Sequence, residues 1–210
     1  MHDKDYSPDW IVNIAKSHEA EQLFVIAAMK GSTALVSMHE KNEFGSYITI
    51  LSTYGFIGAN GLGKTKEGDW KTPSGVFHFN RAFGIARNPG CNIPYTRIDS
   101  SMYWSGDTRT GKKYNQLVSL NEIADLDTEK SEHLIEYKNH YQYCLNISYN
   151  EAGIPGLGSA IFLHCFGRRY NYTGGCIAIA ENEMIKVLKH IKEGCVVVID
   201  TLECLGGSLL

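Results

Sequence analysis

The sequence predicts a mainly β protein of the α+β kind. Short runs rich in Val, Ile, Tyr and Phe recur along its 210 residues, separated by turns built from Gly, Ser and Asn. Tyr (12) and Gly (21) are both in excess, which favours sheet and tight turns together. The clearest helical spacing falls in two segments, one near each end of the chain.

Taken in order, residues 7–20 read as a helix. Ser7 is the candidate cap, Pro8 suits the first turn, and Trp10, Ile11, Ile14 and Ala15 form one apolar stripe. Residues 22–29, 34–38 and 46–51 read as strands joined by Gly-Ser and Lys-Asn turns. The stretch 55–75 is dense in Gly, Lys and Asp and reads as a loop, with 75–79 (GVFHF) as the next strand. Residues 81–116 lack periodicity and read as a long functional loop, and 121–140 as helical pieces. Residues 141–149 and 159–165 read as strands. Residues 181–192 read as a helix, with Met184, Val187, Leu188 and Ile191 on one face, acidic residues at its start and Gly194 to stop it. Residues 195–200 (CVVVID) read as a buried final strand.

Composition narrows the function classes. Apolar residues make up 43% and charged residues 20%, with a formal net charge of −3. That is a folded domain with no electrostatic footprint for nucleic acid. No stretch approaches the ~20 apolar residues of a membrane helix. No basic-then-apolar leader opens this chain, which leaves two readings: a cytoplasmic protein, or a chain from which a leader has been removed. The six cysteines (91, 144, 165, 176, 195 and 204) include no C-x-x-C pair, so neither a zinc knuckle nor a thioredoxin motif is supported, and mostly reduced thiols are expected.

Residues 58–65 (GANGLGKT) match the phosphate-loop pattern G-x-x-x-x-G-K-[ST]. That pattern binds phosphate only when a helix begins at the Lys-Thr. Here Gly68, Pro73 and Gly75 follow within ten residues, so a helix is disfavoured and no nucleotide site is expected. Lys64 is expected to be a loop residue near a cleft at most.

The segment 161–184 (IFLHCFGRRYNYTGGCIAIAENEM) carries more chemistry. An apolar strand delivers His164, a polar and aromatic loop follows, and Thr173-Gly174-Gly175-Cys176 leads into an apolar run and a helix. A thiol nucleophile needs a base, amide donors for a developing oxyanion and a rigid mount, and all three are at hand. By residue type alone, a catalytic pair and a buried structural Cys and His are both open. Arg168 and Arg169 suit either a clamp for substrate carboxylates or a solvated turn. Tyr170, Tyr172, Tyr103 and Trp104 suit either a cleft wall or packing. His78 reads as structural. A zinc peptidase built on His78, His164 and a cysteine lacks ligand spacing.

These blocks resemble the L,D-transpeptidase catalytic-domain family, the cysteine transpeptidases of bacterial cell walls. His164 stands at that family's first His, and Thr173, Gly175, Cys176 and Ile177 align with its [Ser/Thr]-His-Gly-Cys-[Ile/Val] block. GLGKTKEGDWKTPSGVFHF, AFG at residues 82–84 and YWSGD…KYNQLV from Tyr103 extend the likeness over residues 55–200. The chain departs from the pattern at Gly174, where His is usual, and at Ala178, where Arg or Asn is usual, and it is closer to a branch with a small residue before Gly-Cys.

The resemblance implies a single mixed β-sandwich or barrel-like catalytic domain over 21–210, preceded by a helical extension over 1–20, with a few peripheral helices including one after the nucleophile. It implies a Cys176 nucleophile, His164 as base oriented by the Cys165 carbonyl, and an oxyanion site at Gly174, Gly175 and Cys176. Arg168, Arg169, Tyr172, Thr173 and Trp104 are its candidate substrate contacts. Asp107, Tyr114 and Asn115 fall in its middle block without catalytic roles. The implied substrates are peptidoglycan stem peptides, with carbapenem-type β-lactams as inhibitors, no cofactor or metal, no nucleotide or nucleic acid, and an extracytoplasmic location. An L,D-carboxypeptidase and an inactive peptidoglycan-binding homologue are the alternatives.

Overall fold

A computed structural model describes residues 6–167 and 169–208. The first helix, α1 (Asp9–Ser17), follows the first strand's edge and buries Ile11 and Ala15. Pro8, not Ser7, occupies its N-cap and offers no side-chain cap. Ser7 instead hydrogen-bonds the buried His39 ring at 2.8 Å, which ties the entry of the chain to the sheet.

Eight strands close into a barrel. They are β1 (Gln22–Ala28), β2 (Thr33–Lys41), β3 (Tyr47–Phe56), β4 (Gly75–Gly84), β9 (Cys144–Ile147), β10 (Phe162–Cys165), β11 (Ile177–Ile179) and β12 (Val196–Thr201). The order runs β12-β1-β2-β3-β11-β10-β9-β4, and β4 returns to β12 to complete the ring. Two pairs within it, β1–β12 and β10–β11, are parallel, so the sheet is mixed. The interior is filled by Phe24, Met38, Ile57, Leu145, Leu163 and Ile177 among others. The second helix, α2 (Glu181–His190), lays Met184, Val187 and Leu188 against the same core. It ends at His190, before the Gly194 expected to stop it.

The segment 81–116 is more regular than its composition suggests. Its first residues extend β4, β5 (Tyr95–Arg97) pairs parallel to that strand, and β6 (Met102–Gly106) with β7 (Tyr114–Ser119) begins a second sheet. The third strand of that sheet is β8 (Glu132–His133), followed by one 3-10 turn, Leu134–Glu136. Residues 121–140 therefore hold no α-helix. Their polar, turn-rich sequence hides two residues of strand too short to show a period of two. The second sheet packs on the outer face of β4 and β10 through Trp104, Phe83 and Phe162, whose rings pack at 4.7–5.8 Å.

The loop 58–75 is strapped to the segment before Cys176. The backbone pairs Gly58 with Thr173, Thr173 N donates to Ile57 O at 2.9 Å, and Ala59 N donates to Thr173 O at 3.0 Å. Fully buried Thr72 completes the strap, its hydroxyl accepting from Gly58 N at 2.9 Å and donating to Gly175 O at 2.7 Å. Gly58 is glycine because a Cβ there would lie 2.4 Å from Trp70 O.

Replacing Thr72 by Val keeps the shape and removes both bonds, orphaning a buried amide and a buried carbonyl at about 1–3 kcal/mol each. Thr72→Val should lose about 2–4 kcal/mol in urea unfolding with an unchanged m-value, and Thr72→Ser less than about 1 kcal/mol.

Candidate active site

The parallel pairing of β10 with β11 sets the site. It aligns Leu163 with Ile177 and His164 with Ala178. Strand side chains alternate, so Phe162 and His164 share one face of β10, and Cys176 and Ala178 share the matching face across the ladder. That face forms the floor of a cavity of about 630 Å3. Lys64, Glu67 and Trp70 line one side, Glu132, Tyr137 and His140 another, and Tyr172, Thr173 and Gly174 a third.

Cys176 is nearly buried, with its sulfur held at two points. The thiol donates to Ala160 O at 3.0 Å, and Phe162 N approaches the sulfur at 3.4 Å. Ala160 presents its carbonyl from the left-handed region, at φ 54°. Burial pushes the thiol up to about 12, helped by the nearby Glu132 carboxyl. His164 is buried and pushed down to about 4, chiefly by that burial. Its Nδ1 lies 2.7 Å from Cys165 O. A carbonyl only accepts, so Nδ1 carries the proton and Nε2 presents the lone pair. At neutral pH the site therefore rests as a thiol beside a neutral imidazole.

The turn before the nucleophile is internally locked. Thr173 Oγ1 donates to Cys176 O at 2.6 Å and accepts from Gly175 N at 3.1 Å. The Gly175 amide is thus occupied, and the Gly174 and Cys176 amides are the unbonded donors among the described residues. Gly175 sits at φ 145°, and a Cβ there would lie 2.8 Å from Lys71 O, whereas one on Gly174 would meet open space.

The other sequence candidates divide. Tyr172, Thr173, Gly174 and Gly175 line the cavity with Cys176 and His164. Trp104 does not: it is buried between Phe83 and Phe162, with its indole N–H donated to Asn115 at 2.9 Å. Arg169 places its guanidinium 5.7 Å from the Tyr170 ring and is not among the lining residues. Arg168 lies outside the described residues. Asp107 is held by Arg109, Tyr114 donates to Glu67 at 2.6 Å, and Asn115 also accepts from Ala160 N at 2.9 Å. His78 is exposed, 3.6 Å from Glu151.

The phosphate-loop letters hold a carboxylate of the chain itself. Thr65 N and Lys66 N donate to Asp69 Oδ2 at 2.9 and 3.2 Å, and Lys64 Nζ donates to Asp69 Oδ1 at 2.9 Å. Burial alone would raise the Asp69 carboxyl, but these bonds and one from Lys71 N hold it well below the usual carboxylate range. No helix starts at Lys64.

Several lining residues escape a sequence reading. Glu132, His140 and Tyr141 come from the segment 121–141, which carries no motif and no clean period. The one faint signal is Gly167, which is glycine because a Cβ would lie 2.1 Å from His140 Nε2.

All six cysteines are free thiols, and no helix among the described residues is long and apolar enough to cross a membrane. A family profile, the L,D-transpeptidase catalytic domain (YkuD), matches residues 25–199. The chain belongs to the L,D-transpeptidase catalytic-domain family. The matched span takes in the barrel except the first residues of β1 and the last of β12, and every cavity-lining residue named above. No curated protein matches the chain. Family membership carries a general L,D-transpeptidase-type function, with peptidoglycan peptides as the class of target.

Gly175→Ala should cost about 1–3 kcal/mol in denaturant unfolding, through its backbone angle and the clash with Lys71 O. Gly174→Ala, facing open space, should stay within about 0.5 kcal/mol of the parent.

Proposed function

We propose that this protein is a cysteine acyltransferase that acts on peptidoglycan stem peptides outside the cytoplasm. The observation that carries the reading is the shared floor of Cys176 and His164, reached through the cavity between two sheets. A peptide carbonyl entering the cavity lies beside the Cys176 sulfur, whose S–H turns from Ala160 O toward His164. Cys176 Sγ attacks the carbonyl carbon as its proton passes to His164 Nε2. The resulting oxyanion is met by the Gly174 and Cys176 amides, and each such donor contributes about 2.7–4 kcal/mol of barrier lowering. The tetrahedral intermediate collapses, the C–N bond breaks, and the leaving amine takes the proton back from His164, which leaves a thioester on Cys176. An acceptor amine then attacks the thioester, giving up a proton to His164 and regenerating the thiol. Water in place of the amine gives the carboxypeptidase outcome.

Ala178 stands directly across the ladder from His164, where the family pattern has Arg or Asn. The small side chain leaves that flank of the imidazole to the substrate. Tyr172 and Thr173 supply the substrate-facing wall on the opposite side. Arg168 and Arg169, which follow His164 in the crossover sequence, are proposed to meet acidic groups of the stem peptide.

Mixing the protein with a carbapenem should add one inhibitor mass by intact-mass spectrometry, and Cys176→Ala should abolish the adduct. His164→Ala should slow acylation by about 10²–10⁴-fold. A wild-type protein that never acylates, and that turns over no tetrapeptide with or without an amine acceptor, contradicts the reading and favours a binding role.

A further inference from the structure

Two carboxylates among the described residues line the cavity and are not used by the chemistry above, Glu67 and Glu132, and Glu132 is the one whose charge acts on Cys176. It reaches the cavity from the second sheet, where β8 pairs with β6 opposite Trp104. Tyr141 donates its hydroxyl to Oε2 at 2.9 Å, and the same Tyr141 ring packs edge-on against His164 at 5.5 Å. Oε1 has no hydrogen-bond partner among the described residues, and no fully buried side-chain oxygen there lacks one, so Oε1 faces the cavity space. The side chain is therefore held by one oxygen and offered by the other.

The charges around it are one-sided. Lys64 is the lysine or arginine lining the cavity among the described residues, and its ammonium is spent on Asp69 and Lys66 O. Glu67 lines the same space and accepts from Tyr114 and Ser159 hydroxyls at 2.6 and 2.7 Å. A half-buried carboxylate with a free oxygen and no counter-cation among the described residues is completed by a donor that carries positive charge.

We propose that Glu132 is a specificity-determining residue that binds an ammonium group of the peptide in the cleft, so that substrates with a free amine beside the scissile bond are selected over neutral ones. The inference rests on the stem-peptide reading above. It places cation recognition on the cavity wall supplied by the second sheet. Burial raises the Glu132 carboxyl to about 7 in the unliganded protein, while the Tyr141 hydroxyl works to lower it. Tyr137, Tyr141, Glu67, Cys176, His140 and His164 are the titratable groups around it. Both histidines are lowered, chiefly by burial, and so are neutral at pH 7. A lysine-type amine, with a pKa near ~10, stays charged across this range. Pairing should therefore strengthen as pH rises through about 7 and the carboxyl loses its proton.

The test is binding to the Cys176→Ala protein, by calorimetry, of L-Ala-γ-D-Glu-L-Lys-D-Ala and of its Nε-acetyl-lysine form. The free amine should bind about tenfold to a hundredfold more tightly. That preference should shrink toward about pH 6. Adding Glu132→Gln should bring the two peptides to near parity and flatten the pH profile, and Glu132→Asp should keep part of the preference. A preference that survives Glu132→Gln, or two peptides that bind equally to the parent, overturns the assignment while leaving the stem-peptide reading intact. Failure of both peptides to bind at any pH overturns the stem-peptide reading and this inference together.

Discussion

Two backbone alignments in the parallel ladder of β10 and β11 govern the site. Leu163 against Ile177 and His164 against Ala178 bring Cys176, His164 and the Phe162 amide to one face. Parallel strands cannot be joined by a tight hairpin, so the chain must cross over between Cys165 and Ile177. That crossover is the loop bearing the arginines, the tyrosines and the Gly-Gly-Cys turn. The chemistry thus sits in the connection that the topology requires, and the barrel beneath holds it still.

The second sheet and the glycine-rich loop hold the crossover from two sides. Thr72 bridges Gly58 to Gly175, and Thr173 closes the turn on the Cys176 carbonyl. From the other side, Asn115 binds Ala160 N, and Ala160 O holds the thiol. The resting thiol is therefore engaged by the main chain. Burial raises the thiol and lowers His164, so both groups favour their neutral forms.

Much of this was legible in the sequence. The apolar runs marked the barrel strands, and the motif blocks around His164 and Cys176 marked the family, because both are local patterns of a kind that periodicity and motif reading detect. In the segment that carries the phosphate-loop letters, Gly68, Pro73 and Gly75 disfavour a helix, no helix forms there, and the Thr65 and Lys66 amides bond Asp69. What stayed hidden was long-range. Trp104 looks like a cleft aromatic until β6 is seen to turn it into the layer between the sheets. Glu132 looks like part of an exposed helix until two residues of β8 place it at the cavity wall. Strands of two or three residues carry no usable period, and their position is fixed only by the partners they pair with.

The central claim is that Cys176 and His164 rest as neutral thiol and neutral imidazole. The rate of Cys176 alkylation by iodoacetamide against pH, followed by peptide mass mapping, reads this directly. A neutral pair predicts slow modification at pH 7 and a rate that climbs steadily into the alkaline range, with no step near pH 4. A rate that rises near pH 4 and then stays level through neutrality would show a preformed thiolate–imidazolium pair and contradict the account.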